Sequence, residues 1–589
     1  TGALDVDGAT TTDGITNAGN FETDGGTIKL DGNYPTGSDN VALGDTALDD
    51  GSLSGGNNVA IGSAALTANT TGAGNTAIGK DAMLVNTTGA SNTAVGFKAL
   101  DANTTAGNNT AVGKNALSGN TTAENNTAVG LDSLKVNTTG ASNVAVGSSA
   151  LAANTTASNN IAIGKNALTA NTTGSENTAL GEAALQANTT VSNLVAIGRS
   201  ALEANTSGTN GVAVGKDALQ ANTTGDNNTA VGLEALHVNT TGDENTAMGT
   251  GALASNTTAN ENSAFGRNAL AANTTGANNV AVGAKALDAN TTAHDNTAVG
   301  GDAMGSNTTG ANNTAVGRSA LFANTTGAQN AAFGANSLDA NTEGSNNTAI
   351  GYEALGKATT GVDNTGVGRA AGLDNTTGSS NTAVGVEALE NGNGCNSNTC
   401  IGKQAGREIS TGSNLVTLGI SSGNSGSPGG ALTSGNNEMT LGNGDHSKIN
   451  VQVSLTVASD ERDKTDFNDL DLGLAFVNQL QPVTYKWDKR HKYVDWDANP
   501  DTDLNSVTTD GTHKESWLDV GFKAQAVNTL EEAAGYKISD EKNLTVSLSG
   551  DGKQYGLQYE KFVPILVKAL QEADDKIDAL TARVTTLEG

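Results

Sequence analysis

The sequence predicts a mainly β fold, a stack of 17-residue β-roll or β-solenoid coils followed by a small α+β domain that ends in a coiled coil. Three observations carry this expectation. One glycine recurs every 17 residues, from Gly62, Gly79, Gly96 and Gly113 to Gly402 and Gly419, twenty-two times in unbroken register. Aromatic residues make up 3% of the chain and glycines number 76, which leaves too little bulk for several globular cores. All three tryptophans, Trp487, Trp496 and Trp517, lie beyond Ser459, where the composition changes.

The repeat unit reads N-T-A-V-G-x-x-A-L-x-x-N-T-T-G-x-x, and Asn109 to Gly113 with Ala116, Leu117 and Asn120 is a representative copy. The Ala-Val/Ile-Gly run is a short β segment ended by a turn residue. A second apolar ladder, Leu117, Leu134, Leu151 and Leu168, follows four residues after the glycine. Asn-Thr-Thr-Gly is turn chemistry, since Asn and Gly accept positive φ. It also matches the N-glycosylation pattern, but a regular ladder needs Asn there in any case, and we read it as a turn. The positions just after the glycine vary, as in Lys80 and Asp81 or Phe97 and Lys98, and are read as solvent-facing. The constant small and apolar positions are read as a stacked interior. At a strand spacing of about 4.8 Å, the coils form a rod on the order of 100 Å. One chain buries little in such a rod, so several chains packed around an axis are the better solution.

The array covers residues 41–442, after an N-terminal β or linker segment at 1–40. Leu194 replaces the usual Asn and Gly366 the usual Ala, while Phe265 and Phe333 replace Val and are read as core adjustments. Cys400 sits at an Ala position, so a small buried residue is expected there, and Cys395 and Cys400 make no disulfide framework. After Gly419 comes a Gly/Ser linker holding Pro428. A period-two strand, Ile449–Val457, then lies within the junction 443–458.

Composition excludes several function classes. A net charge of −30 disfavours nucleic acid and anionic membranes as partners. No apolar run is long enough for membrane insertion. Asp5, Asp7 and Asp13 cluster but lack a full calcium-loop pattern, so a solvated acidic turn is the reading, and no metal or cofactor is expected. His237 and His294 stand isolated. The repeats hold no catalytic constellation, and no paired carboxylates in an aromatic cleft suggest a polysaccharide-cleaving site. The chain begins at Thr1 without Met or signal peptide and is read as a processed product or fragment.

In residues 459–589, helical periodicity runs through Leu470, Leu472, Leu474, Phe476, Val477 and Leu480, and a strand through Pro482–Trp487. At about 560–588, Val563, Leu566, Leu570, Ala573, Ile577, Leu580, Val584 and Leu587 fill heptad a and d positions of a coiled coil.

The segment Ser459-Asp460-Glu461-Arg462-Asp463-Lys464 resembles the cleavage motif of the endosialidase-type intramolecular chaperones found at the C-termini of phage tail spikes and tail fibres. Three further blocks match in order: Leu472-Gly473-Leu474 through Leu480 to Trp487; Gly521 to Gln525; and Tyr559 to Pro564 with Ala569 to Glu572. The shaft repeats resemble the head repeats of trimeric autotransporter adhesins. The first resemblance implies a chaperone that folds a homotrimeric fibre and then cuts itself off between Ala458 and Ser459. Ser459 matches the family nucleophile and Lys464 the lysine that activates it. An extended segment holds the two too far apart to bond, so either the chain turns back, with Asp460 and Arg462 supporting the turn or forming a solvated charged loop, or Lys464 comes from a neighbouring copy. The enzyme is then at most a single-turnover Ser/Lys self-cleaving endopeptidase. The same resemblance implies a virion tail fibre that attaches to a host receptor, glycan or protein. The alternative is a cellular surface adhesin or extracellular filament subunit that uses the same chaperone.

Overall fold

The computed structural model describes residues 39–427, 430–446, 449–450, 452, 459–495, 499, 502–549 and 552–589. Asp5, Asp7 and Asp13, Pro428, Ala458, Trp496 and most of the expected junction strand lie outside them. The chain divides into two compact units, residues 1–227 and 228–589.

In the first unit, three-residue strands from Val41–Leu43 to Val212–Val214 recur once per coil and pair in parallel, in register. Ala111 faces Ala128, with Thr110 opposite Thr127 and Val112 opposite Val129. The pairing continues beyond the strand: Leu117 N donates to Ser133 O at 2.9 Å and Thr87 N to Thr104 O at 2.8 Å. The second unit repeats this plan from Thr229–Val231 to Met439–Leu441. The fold is therefore a parallel β-solenoid with one coil per 17-residue repeat.

The 17-residue glycine has a steric cause. Gly113 has φ +137°, and a Cβ there would lie 2.4 Å from Gly130 O in the next coil. The same column recurs in the second unit, where a Cβ on Gly283 would lie 2.5 Å from Gly300 O. Two asparagine ladders complete the interior. Asn103 Nδ2 donates to Asn86 Oδ1 at 2.7 Å and to Ala106 O at 3.0 Å. Asn109 N donates to Asn92 Oδ1 at 2.9 Å, and Asn109 Nδ2 to Ala123 O at 3.0 Å. These asparagines are fully buried, with their amide nitrogens already engaged, so the Asn-Thr-Thr motif is a turn closed from inside.

The interior differs from the expected one. The centre of the strands, usually Ala, points inward with the second Ala and Leu, while the residue that follows, usually Val or Ile, points outward. A three-residue strand turns only one side chain inward, and the Leu and Asn ladders fill the opposite wall. Phe265 and Phe333 are therefore not core adjustments: they stand 38% and 41% exposed on the outer face. The Leu ladder lies in the left-handed region, with Leu117 at φ 54°.

Local departures come as compensating pairs. Leu194 is buried where Asn is usual, and its side chain reaches the space left by Gly211 one coil on, where a Cβ would sit 3.6 Å from Leu194 Cδ2. Gly366 and Gly372 together make room for Leu355, whose Cγ and Cδ2 would lie 2.9 and 2.7 Å from the added Cβ atoms. The segment after Gly419 is not a linker. Val416–Leu418 and Met439–Leu441 pair directly, and the longer coil between them buries Ser422, Ser427 and Leu432. Cys395 and Cys400 are buried free thiols in one apolar cluster with Leu389, Ile409 and Leu415.

The C-terminal region is small and mixed. Helix α1 (Leu474–Val477), helix α2 (Ala524–Ala533) and the long helix α3 (Phe562–Glu588) accompany two antiparallel pairs, Val483–Tyr485 with Asp519–Gly521 and Val546–Leu548 with Tyr555–Leu557. Helix α1 is shorter than the periodicity suggests, because it starts only after Gly473 and Pro482 follows closely. Phe562 and Ile565 pack α3 into a core with Leu472, Phe476, Val527 and Val546, and Ala569 is buried on the same helix. The heptad residues lie on its other side: Val563, Leu570, Ile577 and Leu587 are exposed, Leu570 at 71%.

Ala358 stands where the ladder expects Asn, and Asn341 Oδ1 is buried without a partner one coil earlier. Ala358→Asn should raise the unfolding midpoint by about 1 kcal/mol of stability, measured in urea. Gly113→Ala should lower it by about 2 kcal/mol or more. Burial pushes the Cys400 thiol up to about 12, and raises Cys395 as well. Neither thiol should react with an alkylating reagent at about pH 8 in the native protein, and both should react once it is unfolded.

Candidate functional site

A short turn builds the site. Asp460 caps the 3-10 turn Glu461–Asp463, its carboxylate accepting from Arg462 N at 2.9 Å. The Arg462 side chain returns to the same carboxylate, with Nε 3.0 Å from Oδ1 and Nη2 2.5 Å from Oδ2. That pairing holds the Asp460 carboxyl below, and the Arg462 guanidinium above, their ordinary ranges. Lys464 N closes the turn on Glu461 O at 3.1 Å.

Five residues of extended chain would span about 17 Å. The turn instead places Lys464 Nζ 2.5 Å from Ser459 Oγ and 3.4 Å from Ser459 O. The structure thus brings Ser459, Asp460, Arg462 and Lys464 together within one chain, all four exposed. The other residue of the expected scissile bond, Ala458, lies outside the described residues.

The remaining sequence blocks converge on one another. Val483 pairs with Gly521, and Phe522 N donates to Tyr559 Oη at 3.2 Å. Phe522 stacks on Phe562 at 5.4 Å between ring centroids. Gly521 has no room for a side chain, since a Cβ would lie 2.3 Å from Tyr559 Oη. Glu572 on α3 accepts from Leu474 N at 2.8 Å, which supplies the start of α1 with a carboxylate. A Cβ on Gly473 would meet the same carboxylate at 2.3 Å.

Sequence reasoning missed Glu531. It is fully buried on α2 and accepts from Thr545 N at 2.7 Å, Thr545 Oγ1 at 2.5 Å and Leu544 N at 3.2 Å. Glu532 beside it is as acidic in sequence, and only the fold separates the two.

Residues 459–536 match the family model of Peptidase_S74, described as the chaperone of endosialidase. The C-terminal region thus carries a domain of the endosialidase-chaperone type. The matched segment opens on Ser459 and covers the turn, α1 and α2. Comparison with curated proteins and with solved structures returned no match.

Glu531→Ala should strip three backbone and hydroxyl donors of their acceptor. The expected loss is about 2–4 kcal/mol in the unfolding of this region, monitored by tryptophan fluorescence. Glu572→Ala, which removes one cap, should cost about 1 kcal/mol.

Proposed function

We propose that this chain is the shaft of a homotrimeric phage tail fibre used for host attachment, and that its C-terminal domain assembles three copies and then cuts itself off between Ala458 and Ser459. The observation that carries the reading is the Ser459–Lys464 contact at 2.5 Å, in a domain that matches the endosialidase chaperones from Ser459 onward. Two apolar surfaces that stand exposed among the described residues support assembly. One is the outward ladder of the coils, such as Ile161 and Leu180 in the first unit and Ile350 and Ile401 in the second. The other is the heptad stripe of α3.

The chemistry comes from where Ser459 stands. It supplies both the amide nitrogen of the bond to be cut and a hydroxyl. Lys464 accepts the Oγ proton as Oγ attacks the Ala458 carbonyl carbon and closes a five-membered ring. The C–N bond breaks, the proton passes to the departing Ser459 amine, and the acyl group rests on Oγ as an ester. Water then hydrolyses the ester and frees the Ala458 carboxylate. A lysine acts as base only in its neutral form, which burial or neighbouring positive charge favours. Both residues are exposed in one chain, so packing of the other copies has to enclose them. Cleavage in this scheme reports completed assembly. The shaft then meets a host receptor, glycan or protein.

After assembly, a denaturing gel should show a shaft band and a band of about 14 kDa, at roughly 110 Da per residue. Ser459→Ala and Lys464→Met should each give a single full-length band, and a wild-type chain that stays whole as a trimer would refute self-cleavage. Leu570→Asp with Leu580→Asp should abolish both trimer and cut, read by light scattering and the same gel. Peptide mapping of purified virions should find the solenoid with a new C-terminus at Ala458. Recovery from a cell envelope instead would favour the surface-adhesin alternative.

A further inference from the structure

The loop Asn443–His446 comes after the last solenoid strand, and the 3-10 turn Arg490–Tyr493 of the C-terminal region packs against it. Lys489 Nζ donates to Gly444 O at 2.5 Å and to His446 O at 3.2 Å. His491 Nε2 lies 3.1 Å from Asp445 Oδ1, with 10% of the His491 side chain exposed. Gly444 is in close contact: a Cβ there would lie 2.3 Å from His491 Nδ1 and 2.7 Å from Gly426 O. Beside this contact a cavity of about 660 Å³ opens, walled by Arg407, Glu408 and Asn424 on the solenoid side and by His491, Lys492 and His513 on the other.

The Ser459–Lys464 pair is closed by its own turn and does not use these groups. The contact does something else. It joins residues that precede the Ala458–Ser459 bond to residues beyond it. The solenoid side offers carbonyl oxygens and one carboxylate; the domain side offers a lysine and an imidazole. We infer that this contact is a non-covalent latch, by which the severed domain stays docked on the end of its own shaft. It rests on the cleavage reading only for the origin of the free ends.

Acid should open the latch. Burial holds His491 below the usual imidazole range, and Lys489 and Lys492 add to this against the pull of Asp445. Burial pushes the Asp445 carboxyl up, but the hydrogen bond from His491 and the nearby Lys492 together bring it below its usual range. Arg407, Glu408 and His513 face the same space. A histidine depressed on docking favours the docked state above its free value near 6.5. That contribution is lost as pH falls through and below this value, because the freed imidazole binds the proton more readily. The depressed Asp445 contributes in the same direction, at lower pH.

The test makes the cut independently of self-cleavage. A protease recognition sequence is inserted after Leu455 in the Ser459→Ala chain, and the assembled protein is cut with added protease. On gel filtration at about pH 8 the two pieces should co-elute, and at about pH 5 they should separate. Gly444→Ala, which drives a methyl into the His491 ring, and the milder Lys489→Gln should each weaken retention roughly tenfold at the higher pH. An unchanged unfolding midpoint for the shaft serves as the folding control. Separation of the unmodified pieces at about pH 8, or full retention in both variants, overturns the latch. Retention that does not change with pH overturns the role of His491. A denaturing gel of the unmodified chain reads self-cleavage separately, so the two proposals fail independently.

Discussion

The buried asparagine is the constraint on which the solenoid depends. A carboxamide sealed from water has to find partners for its polar atoms, and here they come from its own turn and from the neighbouring coils. Asn86, Asn103 and Asn120 solve this by bonding to one another through successive coils. The solution holds only if each coil repeats the last at one spacing and in one register. The glycine column imposes the same requirement sterically, since no Cβ fits beneath the carbonyl of the next glycine. Together they offset the left-handed conformations that each coil demands, as at Lys98, Leu100 and Asn108, each of which costs about 1 kcal/mol.

Because the interior is given over to Ala, Leu and Asn, the larger aliphatic and aromatic residues of the strands are pushed to the surface. A single chain is left with apolar area and no cover for it, both along the coils and along α3. In the proposed reading, assembly and the chemistry at Ser459 answer one deficit: the groups that need burial are supplied by one chain and the burial by others.

Much of this was legible in the sequence. The glycine interval set the coil, and the four ordered blocks pointed to the region around Ser459. The direction of the strand side chains was misread, because a constant Val looks like core until the width of the coil is known. The Gly/Ser-rich stretch after Gly419 looked like a linker, because its burial depends on Leu432 and Ser427 folding back under neighbouring coils. Reach alone left two outcomes for Ser459 and Lys464, a turn back within the segment or a lysine from a neighbouring copy, and the capped turn at Asp460 is the one seen within the chain. Glu531, Glu572 and the Asp445–His491 pair were not foreseeable, as each joins residues far apart in the chain through contacts that no spacing announces.

Near-identical coils carry a cost in folding. Any coil can stack on any other with nearly the same energy, so a growing solenoid is degenerate in alignment, both within one chain and between neighbouring copies. The departures from the repeat lift some of that degeneracy. Leu194 reaches into the space at Gly211, and Leu355 into the space that Gly366 and Gly372 leave. These pairs act as registration marks, sparse among uniform steps. In the proposed reading, the non-repeating domain that follows the array gives the stack an origin from which alignment can be counted.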